Sequence, residues 1–180
     1  MREIDKINIA ENLIKAIETG IAVNDITHTF VVDWVCSGPE EKNQDMLEVW
    51  DRVLKNYYPK ERPVLFRATS YINDGKIESY TGTLGVAEVF LRQYGEDAKL
   101  LLCDTDESIV PDYIRGKGEY KGTFFPLSKL LENEMELEDS LFVKDFMRGY
   151  IGEDEYIMRT EKEVMLVCKR ADSKGEEIIV

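Results

Sequence analysis

Residues 152–158 contain two glutamates, two positions apart, at the head of an apolar run. If this run is a β-strand, its side chains alternate between the two faces, so Glu153 and Glu155 project from the same face. Two carboxylates on one face repel each other. A chain keeps such a pair where solvent covers both, which is the commoner case, or where a reaction needs both. A catalytic interpretation therefore depends on other reactive side chains.

Three residues upstream could accompany the glutamates. Arg67 stands alone in an apolar run, and a guanidinium offers a planar set of donors that suits phosphate. Ser79 and Thr81 lie two positions apart in a second run, so their hydroxyls would share a face and could orient a sugar. Together with a carboxylate that stabilises positive charge on a ribose carbon, these groups could break a glycosidic bond without a metal ion.

The predicted secondary structure that positions these residues differs between the first sixty residues and the rest of the chain. The first sixty residues are helical in pattern, with helices predicted at 9–19 and 40–57. Residues 25–35 fit a helix or a strand, and a helix is favoured. Gly20 is the predicted end of the first helix.

Strand patterns begin after Pro63. One helix is predicted to run to Tyr94 with Thr83 as its N-cap, a second is predicted over 127–147, and 149–152 is a predicted loop. Residues 104–126 form a long irregular region of the kind that is usually functional or mobile. The predicted strands cover 64–69, 76–81, 99–103, 154–159, 163–169 and 177–180.

Composition limits the function further. The 180 residues suffice for one domain, predicted to comprise a helical part, 1–60, and a core, 61–180. A net charge of −13 disfavours direct nucleic-acid binding, because phosphates would be repelled. The single histidine, His28, makes serine–histidine relays and histidine-rich metal sites improbable.

Cellular context is also an expectation from composition. The three cysteines are dispersed, which favours neither a disulfide framework nor a zinc site. No apolar run approaches the ~20 residues of a membrane span, and no apolar signal core follows the N-terminus. The expected location is the cytoplasm.

The three motifs, in this order, resemble the arginine–serine–glutamate class of mono-ADP-ribosyltransferases, the cholera-toxin-like branch. The resemblance covers roughly residues 63–160. It implies an α+β, ADP-ribosyltransferase-like fold with split antiparallel or mixed sheets and a helical N-terminal region, and NAD as substrate without a metal. The chain departs from the family pattern in three ways. Tyr80 stands where the family often has a small residue or Trp, the first sixty residues have no counterpart, and the insertion between the helix at 85–94 and the last motif is long and acidic. The matching segments are Leu65-Phe66-Arg67, Ser79-Tyr80-Thr81 with the helix containing Ala87 and Phe90, and 152–158.

The resemblance also implies a role for each motif residue. Arg67 would contact the NAD phosphates, and Ser79 and Thr81 would hold the nicotinamide-side ribose and brace the catalytic glutamate. Glu155 would bind the ribose 2′-hydroxyl and stabilise the oxocarbenium ion. Glu153 would position or deprotonate the acceptor, expected to be an arginine of a target protein with a basic surface.

Four further residues are expected near the ligands, although no family motif marks them. Tyr113 and Arg115, in the irregular region, are expected over nicotinamide and phosphate. Phe146 and Tyr150 are expected to contact the target protein, from the segment that precedes the glutamates.

Other functions stay open on the sequence. The main alternative is a non-catalytic acidic interaction protein or a nucleic-acid mimic that blocks a basic cleft. An NAD glycohydrolase would use water as the acceptor, and a nucleic-acid or small-molecule acceptor is a further alternative. The enzyme could serve as a phage or bacterial effector or as a regulator.

Overall fold

The computed structural model describes residues 1–105, 124–160 and 165–169, which fold as an α+β protein. No helix among these residues combines the length and apolar character needed to cross a bilayer. The helices are α1 (Glu3–Thr19), α2 (Asp25–Cys36), α3 (Gln44–Asn56), α4 (Leu84–Tyr94), α5 (Leu127–Glu136) and α6 (Lys144–Ile151). The strands are β1 (Val64–Thr69), β2 (Ile77–Thr81), β3 (Lys99–Asp104), β4 (Phe124–Pro126), β5 (Glu155–Arg159) and β6 (Met165–Lys169).

The chain divides into two compact units. The first unit combines Met1–Tyr58 with Phe125–Ile157, and the second combines Pro59–Phe124 with Met158–Val180. The segment that carries Glu153 and Glu155 therefore folds with the N-terminal helices. The prediction of one domain over 1–180 stays a prediction.

Asparagine caps begin two helices of the first unit, and a glycine ends another. The side chains of Asn24 and Asn43 accept the N–H groups of Thr27 and Met46, which starts α2 and α3. The ambiguous segment 25–35 is thus helical, and the third helix begins four residues later than predicted. Helix α1 ends as predicted at Gly20, whose left-handed φ of 70° an L side chain adopts at a cost.

Aromatic side chains fill the core of the first unit. Trp50 of α3 lies 5.5 Å from the rings of both Phe30 and Trp34, and 5.4 Å from that of Phe125. These tilted and edge-on arrangements are the favourable ones for aromatic pairs. Since Trp34 and Trp50 are fully buried, the aromatic spacing of the first sixty residues serves packing.

The predicted helix at 127–147 is wrong as a single element. Helix α5 ends at Glu136, and α6 begins only at Lys144. The loop predicted at 149–152 is also wrong, because α6 continues to Ile151. Apolar residues continue at helical spacing between Glu136 and Lys144, so the sequence pattern did not indicate that the helix ends there.

One six-stranded sheet contains the described strands, in the order β4-β5-β2-β1-β3-β6. Strand β1 pairs antiparallel with β2 and β3, and β3 pairs antiparallel with β6. The described strands therefore do not show the split into separate sheets that the resemblance implies. The predicted strand at 177–180 lies outside the described residues, as do residues 163 and 164 of the strand predicted before it.

Glu134 is a buried carboxylate that joins two loops of the first unit. Its side chain is 1% exposed and accepts the Val23 N–H at 2.7 Å and the Ser140 hydroxyl at 3.0 Å. The Ser140 oxygen in turn accepts the N–H of Phe142 at 3.2 Å. The carboxylate thus supplies hydrogen bonds that the α1–α2 and α5–α6 connections would otherwise lack.

Burial raises the pKa of Glu134 above its ordinary value, although its hydrogen bonds act against the shift. Asp139 raises this pKa further, and His28 lowers it. Between its unfolded and folded pKa values, the folded state binds more protons than the unfolded state. Stability therefore falls as the pH rises through that range.

Glu134→Gln keeps an oxygen acceptor and removes the ionisation. We expect the free energy of unfolding of the variant, relative to the wild type, to rise as the pH increases above the ordinary pKa of glutamate. Urea denaturation at several pH values measures the difference. Glu136→Gln, on the exposed side of the same helix, is the control. A Glu134→Gln difference that does not change with pH would contradict the buried ionisation.

Candidate functional site

A turn presents the two glutamates, and we call residues 152–155 the glutamate turn. The N–H groups of Glu153 and Asp154 donate to the carbonyls of Tyr150 and Ile151, each at 3.1 Å. Strand β5 begins only at Glu155, so the strand alternation assumed for Glu153 is wrong. Asp154, between the glutamates, has a φ of 47°, an uncommon conformation for a residue with a side chain.

Glu153 and Glu155, the two carboxylates of the glutamate turn, differ in their surroundings. Burial raises the pKa of Glu153, and the charge of Glu155 raises it further. Glu155 is 9% exposed. A carboxyl group with a raised pKa titrates closer to neutral pH, where a general base or acid is most effective. The neighbouring carboxylate supplies negative charge for a developing cation.

Tyr150 and Cys36 complete this group of side chains. Burial raises the pKa of Tyr150, and the nearby thiol of Cys36 raises it further. The charges of Glu153 and Glu155 act in the same direction. We call Cys36, Tyr150, Glu153 and Glu155 the carboxylate cluster. All four belong to the first unit.

Arg67 lies in the second unit, where an acidic partner holds it. Its Nη2 donates to Glu78 Oε1 at 3.0 Å, and its Nη1 donates to the backbone carbonyl of Ser79 at 2.6 Å. The side chains of Arg67 and Glu78 are only 14% and 11% exposed. The guanidinium that was predicted to contact phosphate is thus neutralised by a carboxylate of β2.

The same carboxylate anchors a buried polar network. Glu78 Oε2 accepts the Thr160 hydroxyl at 2.7 Å, and the Thr160 and Tyr80 hydroxyls share a hydrogen bond of 2.8 Å. Burial is the main cause of the raised pKa of Tyr80. The guanidinium carbon of Arg67 lies 5.8 Å from the Tyr80 ring centre. Through Glu78, Arg67 is therefore part of a buried hydrogen-bond network that includes Thr160 and Tyr80.

The sheet places Arg67 and the two hydroxyls on opposite faces. Phe66 pairs with Thr81, so Thr81 and Ser79 share a face with Phe66. Arg67, the next residue, points to the other face, together with Glu78 and Tyr80. The Arg67 guanidinium and the hydroxyls of Ser79 and Thr81 therefore do not converge on one side of the sheet. Thr81 Oγ1 accepts the Thr83 N–H at 3.1 Å, where α4 begins.

The remaining predicted residues are only partly described. Tyr113 and Arg115 lie outside the described residues. Phe146 and Tyr150 both lie in α6, and the structure describes the side chain of Tyr150 alone. Within 1–105, 124–160 and 165–169, no three His, Cys, Asp or Glu side chains are grouped so that they could hold a metal ion.

Comparisons of this chain with protein-family descriptions, with characterised proteins and with solved structures found no match.

The burial of the Arg67–Glu78 pair predicts how its loss changes the free energy of unfolding. Arg67→Met leaves Glu78 without its cation in a mostly buried place, so we expect a loss of about 2–3 kcal/mol in the free energy of unfolding. The double variant with Glu78→Gln should recover part of that loss, giving a coupling energy of about 1–2 kcal/mol in a double-mutant cycle. Urea denaturation of the four proteins measures it.

The exposed pair of Arg92 and Glu88 is a matched control, since its side chains are 66% and 52% exposed. Its coupling energy should be about 0.3–0.5 kcal/mol. Equal coupling in the two cycles would mean that Arg67 and Glu78 do not form the buried pair described above.

Proposed function

We propose that this protein is a mono-ADP-ribosyltransferase, which cleaves the bond between nicotinamide and ribose in NAD and transfers ADP-ribose to a target protein. The carboxylate cluster is the observation that carries the proposal. Cleavage of a glycosidic bond commonly uses two carboxyl groups, one to stabilise the oxocarbenium-like transition state and one to transfer a proton. Glu155 lies close enough to Glu153 for its charge to raise the pKa of Glu153, and Glu155 is buried while Glu153 is partly buried.

Each glutamate has its own role in the proposed reaction. The bond from ribose C1′ to the nicotinamide nitrogen breaks, and its electron pair leaves with nicotinamide, which becomes neutral. The Glu155 carboxylate stabilises the positive charge on the ribose and accepts a hydrogen bond from the 2′-hydroxyl. The acceptor nitrogen then bonds to C1′, and its proton passes to Glu153. The raised pKa of Glu153 suits this last step.

The acceptor that fits best is an arginine on a basic surface. The net charge of −13 attracts a cationic partner and increases its rate of encounter. A guanidinium must lose a proton as it attacks, and Glu153 supplies the base. Tyr150, which is next to both carboxylates, is a candidate contact for the acceptor.

The roles of Arg67, Ser79 and Thr81 stay predictions. For Arg67 to bind the NAD phosphates, a phosphate would have to replace the Glu78 carboxylate on its guanidinium. The proposed chemistry requires the carboxylate cluster and does not require this exchange.

A second candidate function follows from the ion pair between Arg67 and Glu78. If Arg67 and Glu78 are purely structural, the chain could be an acidic interaction protein whose charge binds a basic partner. Such a protein would leave NAD intact. Nicotinamide release therefore distinguishes the two functions, and free ADP-ribose without a protein adduct would identify a glycohydrolase instead.

Glu155→Gln removes the charge that stabilises the oxocarbenium ion and keeps the size of the side chain. We expect nicotinamide release from NAD to fall by about 10²–10³-fold, the usual effect of losing one pre-organised electrostatic group. Chromatography of the released nicotinamide measures the rate. Glu138→Gln, an exposed substitution on the same unit, should have wild-type activity. Comparable activity of Glu155→Gln and the wild type would rule out the assigned role.

Glu153→Gln removes the proposed base but leaves the charge at Glu155. Transfer to a target protein should fall by about 10²–10⁴-fold, whereas hydrolysis of NAD by water should fall much less. Mass spectrometry of ADP-ribosylated protein and chromatography of free ADP-ribose, on the same samples, separate the two products. An equal loss of both products would show that Glu153 acts before the acceptor is chosen.

A further inference from the structure

Ser128 connects the segments that carry the two glutamates. It lies in the first turn of α5 and is 3% exposed. Its Oγ accepts the N–H of Glu155 at 2.6 Å and donates to the carbonyl of Tyr150 at 3.3 Å. One hydroxyl therefore links the end of α6 to the first residue of β5.

The carbonyl of Tyr150 extends this connection to the other glutamate. Besides the Ser128 hydroxyl, it accepts the N–H groups of Gly152 and Glu153. A continuous series of hydrogen bonds thus runs from the Glu153 backbone, through the Tyr150 carbonyl and the Ser128 hydroxyl, to the Glu155 backbone. The residue between the glutamates, Asp154, has its φ in the left-handed region, so the turn needs support from its surroundings.

We propose that Ser128 is the positioning residue of the glutamate turn, setting the separation and orientation of Glu153 and Glu155. A serine hydroxyl can accept one hydrogen bond and donate another at the same time, which alanine cannot do. The buried N–H of Glu155 has no solvent to replace that acceptor. The kinetic consequence rests on the proposed transferase function, whereas the structural consequence does not.

Ser140 supplies a matched control in the same unit. It has the same bonding pattern as Ser128: its oxygen accepts one backbone N–H, from Phe142, and its hydroxyl donates to one acceptor, Glu134. Ser128→Ala and Ser140→Ala should therefore lose comparable stability in thermal unfolding. Only Ser128→Ala should change the properties of the carboxylate cluster.

The first readout is the titration of the Glu153 carboxyl carbon, followed by NMR in the full-length protein without NAD. In Ser128→Ala, the Glu153 pKa should fall towards the ordinary glutamate value, because the loosened turn admits water and separates the two carboxylates. In Ser140→Ala it should match the wild type. An unchanged Glu153 titration in a folded Ser128→Ala variant would overturn the proposal.

The second readout is steady-state nicotinamide release. We expect Ser128→Ala to lower kcat by about 10- to 100-fold, with KM for NAD within about twofold of the wild type, since small misplacements of reacting groups mainly affect the chemical step. Normal kcat in Ser128→Ala would count against the positioning role. If the wild type releases no nicotinamide, the transferase proposal fails, and the NMR titration still decides the role of Ser128.

Ser128→Cys covers the case in which Ser128→Ala does not fold. The thiol fills the same place but is a weaker donor and acceptor. The Glu153 titration should then shift in the same direction by a smaller amount. A wild-type titration in Ser128→Cys would overturn the proposal.

Discussion

The hydrogen bonds that hold the glutamate turn are the constraint on which the proposed chemistry depends. Two carboxylates repel each other and lose solvation when they are brought together in a shielded place. The backbone must therefore hold them there, and the Tyr150 carbonyl and the Ser128 hydroxyl bind the turn on both sides. The cost appears as the raised pKa of Glu153, and the same shift makes that residue suitable as a base.

Local sequence predicts the elements better than their ends. The strand at 64–69 and the helix ending at Tyr94 follow from apolar runs and turn residues, and the structure has them with those bounds. Helix ends depend on single hydrogen bonds, such as the one that Asn43 accepts at the start of α3. The spacing of apolar residues carries no information about such bonds. It therefore predicted one helix at 127–147 where the structure has two.

The candidate site was predictable only where its residues are neighbours in sequence. Glu153 and Glu155 are visible as a pair, but Ser128 and Cys36 come from elements 27 and 119 residues away from Glu155, so only tertiary packing reveals them. The partner of Arg67, by contrast, could be predicted from strand alternation. The sequence Asn-Asp-Gly at 73–75 is a turn signal between β1 and β2. When that turn sets the register of the two strands, strand alternation puts Glu78 and Tyr80 on the face of Arg67 and places Ser79 on the other.

The most direct test of the carboxylate cluster as the site of NAD cleavage is a structure with a bound analogue. In a suitable analogue, a methylene group replaces the ring oxygen of the nicotinamide ribose, so the molecule cannot form an oxocarbenium ion. The quantity to measure is the distance from the ribose 2′-hydroxyl to the nearer Glu155 carboxylate oxygen. We predict a hydrogen bond of about 2.6–3.2 Å. An analogue bound with that hydroxyl away from Glu155 would contradict the account.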